Sequence, residues 1–123
     1  MISAIIADDE PGSARLLKDA LEATGKVRVV GQAANGTECL QLLDEQEPDA
    51  LFLDIQMGEL SGLEVAEIAL ESDKPPMIAF ITAFDAYAVK AFELAAVDYV
   101  VKSVGIEEFN ERISATVERM EES

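Results

Sequence analysis

Acidic, hydroxyl and amino side chains follow the short apolar segments of this sequence. Asp8 and Asp9 come after the first segment, Asp54 after the third, and Thr82 and Lys102 close the fourth and fifth. Carboxylate oxygens suit hard cations such as Mg²⁺, while an ammonium and a hydroxyl suit phosphoryl oxygens. If the fold brings these residues together, they favour metal-assisted phosphoryl transfer.

Asp54 is the candidate nucleophile of such a site. A carboxylate oxygen can attack phosphorus without prior deprotonation by a base, and the product is an acyl phosphate. Asp9 would bind the metal directly and Asp8 through water or through a contact with the metal's own ligands, with the backbone carbonyl of Gln56 supplying another oxygen. The predicted metal ligands are therefore Asp8, Asp9, Asp54 and the Gln56 carbonyl.

Five short segments have the composition of β-strands. Ile2–Ala7, Ala50–Leu53 and Met77–Ile81 are almost wholly aliphatic, as expected of central parallel strands that are covered on both faces. Val27–Ala33 and Val97–Val101 carry polar residues, which favours positions at the edges of the sheet.

Between and after these strands the apolar residues repeat with helical spacing, which predicts five helices. Strict alternation of strand and helix predicts an α/β fold: a single doubly wound, five-stranded parallel sheet of flavodoxin-like order 2-1-3-4-5. Ligands of such sheets bind at the carboxyl ends of the strands, where the candidate residues stand. The apolar positions are Ala14, Leu17 and Leu21; Cys39, Leu42 and Leu43; Leu63, Ala66 and Leu70; Ala88, Ala91, Phe92 and Ala95; and Ile106, Phe109, Ile113, Val117 and Met120.

The composition excludes several other functions. The 123 residues have a net charge of −16, which disfavours direct binding to nucleic acid or to an anionic membrane. Histidine is absent, so no Ser-His-Asp triad or phosphohistidine can form within the chain. The single cysteine allows no internal disulfide, and no signal peptide or membrane span is evident, so we expect a cytoplasmic protein.

Taken together, these segments resemble the receiver domain of two-component response regulators over residues 1–123. The resemblance implies that Asp54 accepts a phosphoryl group from a histidine kinase, with Mg²⁺ held by Asp8 and Asp9. It also implies that Thr82 and Lys102 sense the phosphoryl group and that Tyr99 is the aromatic switch. The matching stretches are Ile5–Pro11, Leu53–Met57 with Ser61–Gly62, Ile81–Ala83 and Asp98–Lys102.

Phe84–Leu94 and Val97–Tyr99 further resemble the branch whose members carry a LytTR-type DNA-binding output domain. That likeness implies control of transcription through an output domain or DNA-binding partner outside this chain. By analogy with the receiver family as a whole, we expect phosphorylation to favour a homodimer formed through the fourth helix, the fifth strand and the fifth helix.

Two positions depart from the family pattern. Many receivers have proline in place of Gly58, and nearly all have proline in place of Ser103. Because a cis bond before serine costs about 3 kcal/mol, we expect a trans Lys102–Ser103 bond and a less firmly held Lys102.

The leading hypothesis is a signalling switch, and two alternatives remain open. A Mg²⁺-dependent phosphohydrolase is disfavoured because Gln56 stands where a second carboxylate would act, so no turnover of small substrates is expected. A receiver-like module that binds partners without phosphorylation is compatible with Gly58 and Ser103.

Overall fold

The computed structural model describes residues 1–123 as one parallel sheet with helices on both faces. The strand order is β2-β1-β3-β4-β5, which confirms the predicted topology and places the two more polar strands at the edges. The strands are β1 (Ile2–Ala7), β2 (Val27–Ala33), β3 (Ala50–Leu53), β4 (Met77–Thr82) and β5 (Asp98–Val101).

Five helices connect or follow the strands, as predicted. They are α1 (Pro11–Ala23), α2 (Gly36–Gln46), α3 (Gly62–Leu70), α4 (Ala88–Glu93) and α5 (Ile106–Glu122). Pro11 begins α1, where its missing amide proton leaves no hydrogen bond unmade. Ser61 and Glu64 form a capping box at the start of α3, which fixes the point where the chain leaves the loop after β3. No helix has the length and apolar character needed to cross a membrane.

The sheet separates two apolar layers. Ala4 and Ile6 of β1 pack with the residues of α1 and α5, whereas Ile5 and Ala7 pack with those of α2, α3 and α4. Alternate residues of a strand point to opposite faces, so a short aliphatic run supplies both layers. The central strands are therefore fixed from both sides, and their carboxyl ends form a rigid edge.

The predicted burial of α4 is wrong in part. Ala91 is buried, but Phe92 is 73% exposed and Ala95 lies beyond the helix end in a left-handed conformation. Ile106, at the start of α5, is also 53% exposed. A helix of six residues makes fewer than two turns, so its spacing defines no stripe against the sheet.

Candidate functional site

Asp8 and Asp54 lie side by side because they follow neighbouring strands in register. Ala7 of β1 pairs with Leu53 of β3, and the Asp54 amide donates to the Ala7 carbonyl at 2.9 Å. The Asp8 amide donates to the carbonyl of Ala33, the last residue of β2, at 3.0 Å. Both carboxyl groups are thus carried by backbone that the sheet holds in place, and both residues are buried.

The carboxylates of Asp8, Asp9 and Asp54 approach one another closely enough to share a cation. One oxygen of each lies within 4.8 Å of the others. Oδ1 of Asp54 is buried and has no hydrogen-bond partner, and the Gln56 carbonyl accepts no backbone hydrogen bond. An all-oxygen set with an unsatisfied buried acceptor fits Mg²⁺, which could in turn bind the oxygens of a phosphoryl group.

Lys102 supplies the positive charge between two of these carboxylates. Its amide donates to the Thr82 carbonyl at 2.8 Å, and its ammonium donates to Asp8 Oδ2 at 2.7 Å and to Asp54 Oδ2 at 3.1 Å. Burial alone would lower the pKa of Lys102, but the hydrogen bonds and negative charges of the two aspartates outweigh it, so the pKa is raised. The side chain therefore stays charged at neutral pH.

Gly62 allows the loop after β3 to pack closely against the site. Its amide donates to the Ile55 carbonyl at 2.7 Å, and a Cβ atom at this position would lie 2.1 Å from the carbonyl oxygen of Asp54. No larger residue fits without moving the backbone that carries Asp54. The sequence contains a glycine at this position, but the need for one becomes evident only from the packing of the folded chain.

Thr82 and Tyr99 lie on adjacent strands beside the site. Thr82 is completely buried, and its hydroxyl oxygen accepts from the Phe84 amide at 3.4 Å. The half-exposed Tyr99 donates its hydroxyl to the Phe84 carbonyl and packs its ring 6.2 Å from that of Phe80. Burial raises the pKa of Tyr99, which keeps the hydroxyl protonated as a donor. Thr82 and Tyr99 therefore both hold the β4–α4 loop through hydrogen bonds to the backbone of Phe84.

The two departures from the family pattern have different outcomes. The chain has no cis peptide bond, so the predicted trans Lys102–Ser103 bond is confirmed. The looser hold on Lys102 stays a prediction, although its ammonium contacts two buried carboxylates. Gly58 has φ +96°, a conformation that proline cannot adopt, so the loop takes a course open to glycine.

A second polar cluster, which the sequence did not reveal, joins α5 to β5. Asp98 accepts through Oδ1 from the Tyr99 amide at 2.8 Å, and its Oδ2 lies 2.6 Å from the Thr116 hydroxyl and 2.7 Å from Arg119. Thr116 is fully buried. Hydrogen bonding to a buried hydroxyl thus fixes α5 against the residue that precedes Tyr99.

Comparison with known proteins agrees with this geometry. The model of the family described as response regulator receiver domain matches residues 4–114. The chain belongs to this receiver family. A response regulatory protein of Vibrio cholerae is 40% identical to the receiver over 98% of the chain and 48% of its own length. The transcriptional regulatory protein BtsR of Salmonella typhi is 42% identical, with the same two coverages.

Solved structures resemble the receiver over nearly their whole length. The response regulatory domain of mrkE from Klebsiella pneumoniae has a TM-score of 0.87 and 30% identity, covering 99% of this chain and 100% of that one. The response regulator domain of Thermotoga maritima CheB shares the fold, with a TM-score of 0.81 and 24% identity, covering 96% of this chain and 97% of that one. The receiver spans about half the length of the curated relatives it matches.

Proposed function

We propose that this receiver is a phosphorylation-dependent switch in which Asp54 takes a phosphoryl group from a histidine kinase. The observation that carries the proposal is the buried, unpartnered Oδ1 of Asp54, next to two further carboxylates and a charged lysine. A partner-free buried oxygen is costly in a purely structural role and is available as a nucleophile.

The transfer needs no base within this chain. An Asp54 oxygen forms a bond to phosphorus while the bond between phosphorus and the kinase's imidazole nitrogen breaks, and that nitrogen keeps the electron pair. The carboxylates fit Mg²⁺, which when bound would neutralise charge on the phosphoryl oxygens. Lys102 can exchange a carboxylate oxygen for a phosphoryl oxygen, and Thr82 can turn its hydroxyl toward the same group.

The same movement supplies a readout. Turning the Thr82 hydroxyl toward a phosphoryl oxygen removes its contact with the Phe84 amide, and Tyr99 is hydrogen-bonded to the same residue. The β4–α4 loop is thus released from Thr82 and free to rearrange with the tyrosine. Tyr99 acts as the switch residue in this proposal.

The surface that would change suits a homodimer. Val89 and Phe92 of α4 are 72% and 73% exposed, and the Lys90 ammonium lies 3.9 Å from both Glu67 and Glu93. Apolar and mixed charged side chains on one face can pair across a two-fold axis. Phosphorylation would favour dimers through α4, β5 and α5.

The resemblance to the LytTR-output branch completes the proposal. The output is then transcriptional, through a DNA-binding domain or partner, and the protein acts in the cytoplasm beside its kinase. The receiver would turn over no small phosphoester, since its only phosphoryl transfer is to and from Asp54.

Phosphorylation is tested with acetyl phosphate and Mg²⁺, followed by mass spectrometry of the intact chain. We expect one added phosphoryl group that hydroxylamine removes, and none in Asp54→Asn. Unmodified wild type under conditions that label another receiver would favour the phosphorylation-independent binding module. Release of many equivalents of phosphate from a phosphoester would favour the hydrolase.

Dimer formation is tested separately by sedimentation velocity with and without beryllium fluoride. We expect association only with the phosphoryl mimic, and we expect Phe92→Ser to prevent it. The same sedimentation coefficient in both conditions would contradict the proposed dimer without affecting the assignment of Asp54.

A further inference from the structure

A large groove opens at the end of the sheet where the strands begin, opposite the phosphoryl site. It lies between the carboxyl-terminal ends of α2 and α3, beside the first residues of β3 and β4, and encloses about 1060 Å³. We call it the α2–α3 groove. The four residues of β3 separate it from the Asp54 edge by about 13 Å. A ligand here would leave the phosphoryl site accessible.

Apolar side chains form part of the lining of the α2–α3 groove, which we call its floor. Leu40 and Leu43 from α2, Ile68 from α3 and Met77 from β4 contribute to it. Ile68 is 47% exposed, on a helix whose other exposed residues are Glu64 and Glu67. The exposed floor can therefore accept apolar side chains from a partner.

Acidic side chains form another part of the lining, which we call its rim, and their mutual proximity lowers the stability of the fold. Asp44, Glu47 and Asp73 line it and form no ion pair, with Lys74 as the only basic residue among the lining. α2 and α3 both end here without a basic residue in the last turn. Because a helix carboxyl end already carries partial negative charge, acidic side chains beside it are unfavourable.

We propose that the α2–α3 groove binds an extended, basic segment of a partner protein. Apolar side chains of that segment would lie on Leu43 and Ile68, while alternating lysine or arginine side chains would pair with the acidic rim. Successive side chains of an extended segment point in opposite directions, which suits a groove with an apolar floor and a charged rim. Charge complementarity selects this partner over an acidic or neutral one.

The probe is an acetylated pentapeptide of sequence Lys-Leu-Lys-Leu-Lys, titrated into the ¹⁵N-labelled receiver and followed by NMR. We expect saturable shifts confined to groove residues. The peptide with serine in place of both leucines should bind about 10-fold more weakly, because the apolar contacts are lost. Shifts spread over the whole acidic surface, or equal affinity for both peptides, would overturn the proposal.

Variants of the receiver separate the groove from general acidity. Ile68→Ser removes an exposed floor residue, and the triple variant Asp44→Asn, Glu47→Gln, Asp73→Asn neutralises the rim. Each of these two variants should bind the Lys-Leu-Lys-Leu-Lys peptide about 10-fold more weakly than the wild type does. These positions are exposed or half-exposed, so both variants should fold.

The matched control neutralises three acids of α5, with Glu107, Glu108 and Glu111 each changed to glutamine, and should bind as wild type does. An equal loss of affinity in the control would show that binding depends only on net charge, and it would overturn the proposal. Sedimentation of the receiver alone gives a further test. Self-association that Ile68→Ser abolishes would make a second copy the occupant, which also overturns it.

Discussion

Replacing Lys102 by methionine should make the receiver bind Mg²⁺ more tightly. The change removes the ammonium but keeps an unbranched side chain. In the wild type that ammonium bonds to Asp8 Oδ2 and Asp54 Oδ2, so a cation on the same carboxylates must displace at least the bond to Asp8. A hydrogen bond to a charged group contributes about 1.5–3 kcal/mol, and about 1.4 kcal/mol is a factor of ten. We therefore expect roughly 10- to 100-fold higher affinity.

Isothermal titration calorimetry measures the affinity, and thermal unfolding with EDTA or Mg²⁺ measures the stability. Without the lysine, two buried carboxylates lack their counter-charge. In EDTA, the free energy of unfolding of Lys102→Met should therefore be about 1–3 kcal/mol lower than that of the wild type. Adding Mg²⁺ should restore most of this loss. Lys26→Met is the matched control. It changes net charge equally, but Lys26 pairs with Glu121 at the opposite edge of the sheet. Equal Mg²⁺ affinity in the two variants would refute the reasoning.

Three further predictions concern stability. Gly62→Ala should lower the free energy of unfolding by more than about 2 kcal/mol, because the new Cβ meets the Asp54 carbonyl at 2.1 Å, and an unchanged urea midpoint would contradict this. Burial raises the pKa of Cys39 to about 12, so its contribution to stability is complete below pH 9 and is lost as pH rises toward 12. Cys39→Ala should therefore show a shallower alkaline loss of unfolding free energy than wild type, and parallel curves would exclude the thiol as a cause. Thr116→Val should cost about 1–3 kcal/mol by removing the hydroxyl's hydrogen bond to Asp98, whereas a melting temperature equal to wild type would mean that the bond contributes nothing net.

The sheet and the acidic cluster could be predicted because both follow from local patterns. Three aliphatic runs gave the central strands to within one residue, and parallel strands bring their carboxyl ends to one edge. The closeness of Asp8 and Asp54 then follows from topology alone. The direct contact of Lys102 with both carboxylates does not, because it depends on how a long, flexible side chain settles among several acceptors.

The prediction that α4 buries a full apolar stripe failed because the helical pattern in this segment is short. Ala88, Phe92 and Ala95 fit a helical stripe with Ala91, yet only Ala91 is buried. The cluster of Asp98, Thr116 and Arg119 was missed for a different reason. Its members are up to 21 positions apart, and no spacing rule connects a strand residue with a later helix.

The two apolar layers of this receiver lie on opposite faces of the sheet, so the residues of one layer can change largely independently of those of the other. A substitution in the layer under α1 and α5 alters contacts on one face of β1, and its effect reaches the other face only through the strand backbone. Sequence change on the α1–α5 side can thus alter the surface of α1 and α5 while the α2–α3 groove and α4 keep their shape. Asp8 and Asp54 follow β1 and β3, strands that contribute to both layers, so a change at these carboxylates can affect the packing on either face of the sheet.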